Sequence, residues 1–258
     1  MATTDVVTGA FSYTGSFIAR RLLAAGHQLR TLTNNPRPPT DLAGKEAGIR
    51  RLVHISIANP TASTHPYYAS KAQLEEALRS TGMSYAIVRP TLVYGEGDVL
   101  INNIAWVLRH FPVFAIPGDG AYRLQPVHVE DVASIAVSAG LAEGNLAVDA
   151  AGPAILRFGE LVRIIRQVVG SRSVVLKTAP AVALAGARVA GFFARDAVLT
   201  PEQFDDLRAE LLMSREPPRG TIRFSEWLPR QGAVLGLHYA KAQTRHEPRP
   251  APLPAGTR

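Results

Sequence analysis

The chain contains no cysteine among its 258 residues. Disulfide bridges, thiolate nucleophiles and zinc–thiolate centres are therefore excluded. The absence also fits a reducing compartment, so we expect a cytoplasmic protein. No group of His, Asp and Glu residues has the spacing of metal ligands, and we predict no metal.

Acidic residues are scarce, with 21 Asp and Glu against 28 Lys and Arg. A basic balance can favour nucleic acid, an anionic membrane or a phosphorylated ligand. The basic residues are scattered, and no stripe combines them with aromatic residues, so we predict no nucleic-acid partner. A phosphate-bearing cofactor would account for part of the positive charge.

The chain also lacks a hydrophobic run long enough to span a membrane, which needs about 20 apolar residues. Its most apolar stretch, Ala179–Ala194, is interrupted by Pro180, Gly186, Arg188 and Gly191. We interpret this stretch as a helix packed on the core or at a subunit contact, with an interfacial membrane helix as the alternative. We therefore predict no membrane association, and a homodimer stays open. The first residues do not resemble a signal peptide.

Short apolar strands and amphipathic helices alternate up to about residue 149. Such alternation is typical of a parallel sheet with helices on both faces. We predict an α/β fold, with a shortened Rossmann-type doubly wound parallel sheet over residues 1–149. A mostly helical substrate or cap lobe follows over 150–244, and the proline-rich segment 245–258 is predicted to be a disordered tail. Among the predicted helices are Asn102–Arg109 and Pro201–Met213.

The strongest motif lies between the first strand and the first helix. It reads Thr8-Gly9-Ala10-Phe11-Ser12-Tyr13-Thr14-Gly15. The first glycine permits a tight turn, the last permits close packing of helix on sheet, and the free N–H groups of the helix would face a diphosphate. A βα turn without a ligand is the alternative. Ser12 stands where the pattern usually has its middle glycine. The predicted cofactor-binding residues here are Thr8, Gly9, Phe11, Ser12, Tyr13 and Gly15.

The end of the second strand distinguishes NAD from NADP. A carboxylate there would bind the ribose hydroxyls of NAD, whereas a basic residue would bind the extra phosphate of NADP. The chain offers Arg37 and no carboxylate before Asp41. We therefore predict NADP in preference to NAD, with Arg37 as the phosphate ligand. A solvated loop arginine is the alternative.

Tyr67 and Lys71 are four residues apart at the start of a predicted helix and therefore share a face. A lysine ammonium lowers the pKa of a neighbouring phenol, which can then exchange a proton with a carbonyl or alcohol oxygen. Ser56 ends the preceding strand and could hold that oxygen. We predict Ser56, Tyr67 and Lys71 as catalytic residues. Tyr68 is the competing tyrosine, but it has no lysine at the same spacing.

Taken with two further segments, these motifs resemble the short-chain dehydrogenase/reductase superfamily, in its atypical and extended branches. The further segments are Arg89-Pro90-Thr91-Leu92-Val93-Tyr94-Gly95 and Gln125-Pro126-Val127-His128-Val129-Glu130-Asp131-Val132-Ala133. NmrA-like, nucleoside-diphosphate-sugar epimerase-like and complex I accessory-subunit-like proteins are the branches most similar. The resemblance covers residues 4–149. It implies redox, epimerase or dehydratase activity. It also implies that Arg89 and Pro90 bind the cofactor and that the segment after them passes the nicotinamide end of the site.

Near the second of these segments, His128 precedes a predicted helix. A lone histidine there is typical of a structural hydrogen-bonding group. Glu130 and Asp131, close to the helix start, are interpreted as capping and dipole partners.

The chain departs from the family between Thr33 and Leu52. Only a proline-rich loop and a helical stub, Leu42–Ala47, fit there, where two more strand–helix units would be expected. Roughly 60 residues are absent at about 30 residues per unit. Either the first strand pairs directly with Leu52–Ile57, or the sheet is interrupted.

Two main functions follow from these patterns, and association with a membrane or a respiratory complex is a third interpretation that rests on the apolar stretch Ala179–Ala194. The first is an NAD(P)-dependent oxidoreductase or epimerase-like enzyme that acts on a small-molecule carbonyl or alcohol. The second is a non-catalytic NAD(P)-binding regulator or assembly subunit, as in some NmrA-like relatives. The Ser–Tyr–Lys trio favours the enzyme, whereas the missing strands and Ser12 favour the regulator.

Overall fold

The computed structural model describes residues 4–7, 10, 12–30, 49–63, 65–194 and 201–240. Part of what the sequence predicts lies outside these ranges, namely Thr8, Gly9, Phe11, Arg37, the stub 42–47 and the tail 245–258. Within the described ranges, no helix is long and apolar enough to cross a bilayer.

Strands and helices alternate along most of the described chain. The strands are β1 (Thr4–Val6), β2 (Gln28–Arg30), β3 (Arg51–Ile55), β4 (Ser84–Pro90), β5 (Leu92–Tyr94), β6 (Val113–Pro117), β7 (Arg123–Leu124), β8 (Pro126–His128), β9 (Leu146–Ala150), β10 (Leu156–Arg157) and β11 (Val174–Thr178). The helices are α1 (Tyr13–Ala24), α2 (Pro66–Ser80), α3 (Val99–His110), α4 (Val129–Leu141), α5 (Phe158–Val168), α6 (Pro180–Ala194), α7 (Pro201–Arg208) and α8 (Phe224–Trp227), with a 3₁₀ turn at Leu228–Gln231.

Parallel pairing dominates the sheets. β4 lies between β3 and β9 in a parallel three-stranded sheet. Its residues Ala86, Ile87 and Val88 are fully buried, as expected for a parallel strand covered on both faces. β1–β2, β5–β8 and β6–β11 are also parallel pairs, and β7–β10 is antiparallel. The predicted α/β fold class with a parallel sheet is confirmed.

The sheet is interrupted beside the unit formed by β1, α1 and β2. Among the described residues, β1 pairs only with β2, and β3 pairs only with β4. The structure therefore has the second of the two arrangements that the sequence left open. α1 packs on α4, and Ile18 of α1 packs against the buried cluster that contains Val132 and Ala136. Helix packing holds β1, α1 and β2 against the central sheet.

Local structure explains why two predicted helix ends were wrong. α3 begins at Val99 and not at Asn102, because the Asp98 carboxylate accepts the N–H of Ile101 at 2.7 Å and caps the helix. α7 ends at Arg208 and not at Met213. Beyond that end, Glu210 has a φ of 53°, which a helix cannot accommodate.

The region after residue 150 shares a core with earlier elements. Side chains of α5 and of the Phe224–Leu235 segment join those of α3 and β6 in one buried cluster, which includes Ile101, Leu108, Ile116, Leu161, Ile165 and Leu228. The region is mainly helical, but it also contains β11, which the sequence did not predict. β11 pairs with β6, a strand that lies far earlier in the chain.

Candidate functional site

Tyr67 and Lys71 lie one turn apart in the first part of α2. The ring of His65 caps this helix by accepting the N–H of Tyr67 at 3.3 Å. The Lys71 Nζ donates to the carbonyl oxygen of Ile55 at 3.0 Å and lies 5.9 Å from the centroid of the Tyr67 ring. Tyr67 is 51% exposed, whereas burial lowers the pKa of Lys71. The structure thus brings the tyrosine–lysine pair together at the carboxyl end of β3.

Tyr68, the competing tyrosine, points into the core. It is buried, and its ring meets that of Tyr67 edge-on with 5.9 Å between centroids. Burial raises the pKa of Tyr68, and the charge of Asp206 raises it further. A phenol held protonated in this way is poorly suited to proton exchange.

Ser56 does not face the Tyr67–Lys71 pair with a free hydroxyl. It is buried, and its Oγ donates to Oε1 of Glu75 at 2.6 Å. The guanidinium of Arg89 also binds Glu75, with Nε 3.0 Å from Oε1 and Nη2 2.5 Å from Oε2. Arg79 adds a contact of 3.3 Å. Ser56 and Arg89 are therefore joined through a carboxylate that the sequence analysis did not single out.

The partners of the Glu75 carboxyl favour its ionised form. Burial alone would raise its pKa, but hydrogen bonds from Arg89 and Ser56 and the charges of Arg89 and Arg79 outweigh burial, so the pKa is lowered. The hydrogen bond to Glu75 in turn raises the pKa of Arg89. A sequence signal for Glu75 existed, since it shares the buried face of α2 with Tyr68 and Leu78 at helical spacing.

A second carboxyl lies near Arg89 on the neighbouring strand. Asp149 of β9 is the register partner of Arg89. Its Oδ2 accepts the hydroxyl of Ser214 at 2.6 Å, and burial raises its pKa. The carboxyl ends of β3, β4 and β9 are thus lined by a polar cluster beneath the tyrosine–lysine pair.

The start of α1, with Ser12, belongs to the described part of the predicted phosphate loop. Ser12 occupies the N-cap position with no capping hydrogen bond from its side chain, and no acidic residue lies in the first turn. Gly15 is buried, as predicted for close packing on the sheet. Of the other predicted loop ligands, Thr8, Gly9 and Phe11 lie outside the described residues.

Tyr13 connects this loop to the segment after β5. Gly95 there has a φ of 155°, and a Cβ on it would lie 2.6 Å from Val129 Cγ1 and 2.9 Å from the Tyr13 hydroxyl. Only glycine allows this approach. The segment that the resemblance places near the nicotinamide is therefore pressed against the first turn of α1.

His128 has the structural role that the sequence favoured. Its Nδ1 accepts the N–H of Glu130 at 3.2 Å and caps α4, and its ring packs edge-on against Tyr94. Burial lowers its pKa. Asp131 lies with Glu130 in the first turn of α4, as a dipole partner would, but the predicted capping role is wrong because its carboxylate does not cap α4. It accepts the N–H groups of Thr221 and Ile222, each at 2.9 Å, and so ties the C-terminal segment to the core.

A dinucleotide fits the described residues at the α1 end of the site. No acidic residue lies in the first turn of α1, and the Ser12 side chain makes no capping hydrogen bond there. These are the conditions under which a helix N-terminus attracts a diphosphate. No group of His, Asp or Glu in the described part of the chain could hold a metal ion. Two clefts beside α5 and β11 are lined by none of the predicted site residues.

Comparison with known proteins finds similarity over part of the chain. Residues 44–144 match the model of the NAD dependent epimerase/dehydratase family. The chain is 34% identical over 92 residues to the ceramide reductase of Caulobacter vibrioides, over 36% of this chain and 29% of that protein. It is 35% identical over 101 residues to mitochondrial NADH dehydrogenase (ubiquinone) 1 alpha subcomplex subunit 9 of Mus musculus, over 38% of this chain and 26% of that protein. The chain thus spans less than a third of each of these relatives.

The fold is similar to that of a solved reductase. The Citrobacter sp. triphenylmethane reductase complexed with NADP(H) superposes with a TM-score of 0.68 at 16% identity, over 89% of this chain and 100% of that chain. At this identity the similarity shows the fold alone. The matches confirm the resemblance to the extended short-chain dehydrogenase/reductases: residues 44–144 carry the sequence pattern of the NAD dependent epimerase/dehydratase family, and the chain has a Rossmann-type fold.

Proposed function

We propose that the protein is an NAD(P)-binding oxidoreductase or epimerase-like enzyme that acts on a carbonyl or alcohol group of a small molecule. One observation carries the proposal. Lys71 is fixed by the Ile55 carbonyl with its Nζ 5.9 Å from the ring of the half-exposed Tyr67. This pair lies inside the segment that matches the epimerase/dehydratase family.

In the proposed reaction Tyr67 is the acid/base. Its phenol gives a proton to a carbonyl oxygen, or takes one from an alcohol in the reverse direction. The ammonium of Lys71 stabilises the phenolate and thereby favours the transfer. A bound nicotinamide would supply or accept the hydride.

We assign the binding of that cofactor to the two ends of the site. Ser12, Tyr13 and Gly15, with Thr8, Gly9 and Phe11, would surround the diphosphate, and Arg37 would bind the extra phosphate of NADP. The backbone of Arg89 and Pro90 would flank the nicotinamide, since the Arg89 guanidinium is bound to Glu75. The family description names NAD and the structural relative holds NADP(H), and we propose NADP as the preferred cofactor on the basis of Arg37.

The second candidate is a non-catalytic NAD(P)-binding regulator or assembly subunit. It is favoured by the Ser56 hydroxyl, which binds Glu75 and is not free to hold a substrate oxygen while that bond lasts. The interrupted sheet and the similarity to a named subunit of NADH dehydrogenase also support it.

The test is a calorimetric titration of the purified protein with NADPH and NADH. The proposal expects saturable binding, tighter for NADPH. Arg37→Ala should weaken NADPH much more than NADH, because only NADPH carries the extra phosphate. Failure of the folded protein to bind either nucleotide contradicts both candidates. An equal loss for both nucleotides in Arg37→Ala rejects the role of Arg37.

Binding without turnover would favour the second candidate. Turnover is measured from the change in nicotinamide absorbance in the presence of a panel of ketones, aldehydes and nucleotide sugars. Ser56→Ala separates the two roles of the serine. If Ser56 only holds Glu75, the variant loses stability and leaves nucleotide affinity unchanged. If Ser56 orients a substrate, the variant loses turnover as well.

A further inference from the structure

α6 turns an apolar face outward. Its exposed residues lie three and four positions apart and so share one side of the helix. The apolar residues of this side are Val182, Ala185, Gly186, Val189 and Phe192. Arg188 is exposed on the same side, three positions after Ala185 and four before Phe192, and Ala181 is exposed as well. Phe192 is 81% exposed and Val189 is 57% exposed, while Ala183 and Ala190 on the other side are buried. A surface helix normally turns its polar side outward, so this apolar face marks an interaction surface.

The length of α6 limits how it could meet an apolar phase. Its 15 residues extend for roughly 22 Å at 1.5 Å per residue, which is short of the roughly 30 Å hydrocarbon core of a bilayer. Over its described residues, the helix can therefore lie along a surface but is too short to cross a bilayer.

The chain around α6 is positively charged. Residues 161–194 contain five basic residues and no Asp or Glu; the five are Arg163, Arg166, Arg172, Lys177 and Arg188. Arg163, Arg166 and Lys177 line a cleft of 440 Å³ beside α5 and β11, and β11 leads directly into α6. Among the ion pairs of the described residues, none involves Arg163, Lys177 or Arg188. The two clefts together are lined by four basic side chains and two acidic ones, Asp119 and Glu160, so a net positive charge is available to an anionic partner.

We propose that α6 docks on the surface of an anionic lipid bilayer. The apolar face enters the boundary between headgroups and acyl chains, and the neighbouring Arg and Lys side chains contact lipid phosphates. This reverses the expectation of no membrane association and is independent of the proposed enzyme activity. A second copy is a poorer occupant, because a two-fold contact would place this basic region against itself.

The experiment is flotation of the full chain with vesicles of phosphatidylcholine, alone or mixed with phosphatidylglycerol. We expect binding to the mixed vesicles and little to phosphatidylcholine alone. The double variant Val189→Ser/Phe192→Ser should weaken binding to mixed vesicles by about tenfold or more. Arg163→Gln and Lys177→Gln should each weaken it by about fivefold.

Leu141→Ser is the matched control, because Leu141 is 69% exposed at the end of α4, outside the proposed surface. It should bind mixed vesicles like the wild type. Circular dichroism verifies that all variants are folded. The proposal is overturned if the wild type does not float with mixed vesicles, or if the double variant floats as well as the control. It is equally overturned if light scattering shows a lipid-independent dimer that the double variant dissociates.

Discussion

At the scale of single residues, Glu75 connects three parts of the core. Its carboxylate accepts hydrogen bonds from Ser56 after β3, from Arg89 on β4 and from Arg79 on its own helix. Removing one partner of a buried ion pair leaves an uncompensated charge, which typically costs about 3–5 kcal/mol. The network is therefore a main determinant of stability beneath the candidate site.

Glu75→Ala should lower the free energy of unfolding by about 3 kcal/mol, because Arg89 and Ser56 both lose their acceptor. Urea denaturation measures the change. Glu76→Ala is the control, since Glu76 is the exposed neighbour on the same helix, and it should change stability by less than about 0.5 kcal/mol. Similar small losses in both variants would show that the network contributes little.

The same carboxylate predicts a dependence of stability on pH. The pKa of Glu75 is lowered in the folded state, so its contribution is complete above the ordinary carboxyl range and is lost as the pH falls through the folded value. Urea midpoints measured from neutral to acid pH should fall more steeply for the wild type than for Glu75→Gln. Parallel curves would contradict the assignment.

Tyr67→Phe should reduce turnover by at least about 100-fold while leaving nucleotide affinity nearly unchanged, because it removes the proton carrier and keeps the ring. Tyr68→Phe is the matched control, and it should retain turnover because Tyr68 is buried. Initial rates with any substrate found in the screen, together with calorimetric affinities, measure both effects. Full activity in Tyr67→Phe would show that Tyr67 is not the acid/base of the reaction.

At the scale of elements, two helix N-caps give a matched comparison. Asp98 accepts the N–H of Ile101 at the start of α3, whereas the side chain of Ser12 makes no capping bond on α1. Asp98→Ala should cost about 1 kcal/mol of unfolding free energy, and Ser12→Ala less than about 0.5 kcal/mol. Thermal unfolding of the two variants and the wild type measures these losses of stability. Equal losses would mean that Ser12 caps α1 in solution.

Elements that depend on local periodicity were predictable from the sequence. Tyr67 and Lys71 share a face because four residues make about one helical turn, and β3 and β4 are short apolar runs in a repeating pattern. Glu75 was missed because an acidic residue is normally placed on a solvated face. β11 was missed because its partner β6 lies far away in sequence, and such pairing leaves no local signal.

At the scale of the whole molecule, the interrupted sheet divides the protein into parts of unequal stability. Within the described chain β1 and β2 pair only with each other, whereas β4 has a partner on each side. Few backbone hydrogen bonds protect the first unit, so it should open locally with a lower free energy than the central sheet.

Hydrogen exchange followed by mass spectrometry should therefore show faster exchange in residues 4–30 than in β4. Adding NADPH should slow exchange in the first turns of α1 and leave β4 unchanged, because binding stabilises only the states that hold the ligand. Equal exchange rates in residues 4–30 and in β4 would contradict the division of the protein into parts of unequal stability. A nucleotide effect confined to β4 would place the cofactor elsewhere.

The contact between α1 and α4 has an evolutionary consequence. It joins the unit of β1, α1 and β2 to the core at the place where the proteins that the sequence resembles would have further strands, and Ile18 packs against the cluster that contains Val132 and Ala136. In a lineage that loses strand–helix units here, selection would act on this helix pair more strongly than on the strand edges. Substitutions at Ile18 and Ala136 should then compensate for each other among descendants, whereas the residues at the edge of β3 should vary more freely in sequence.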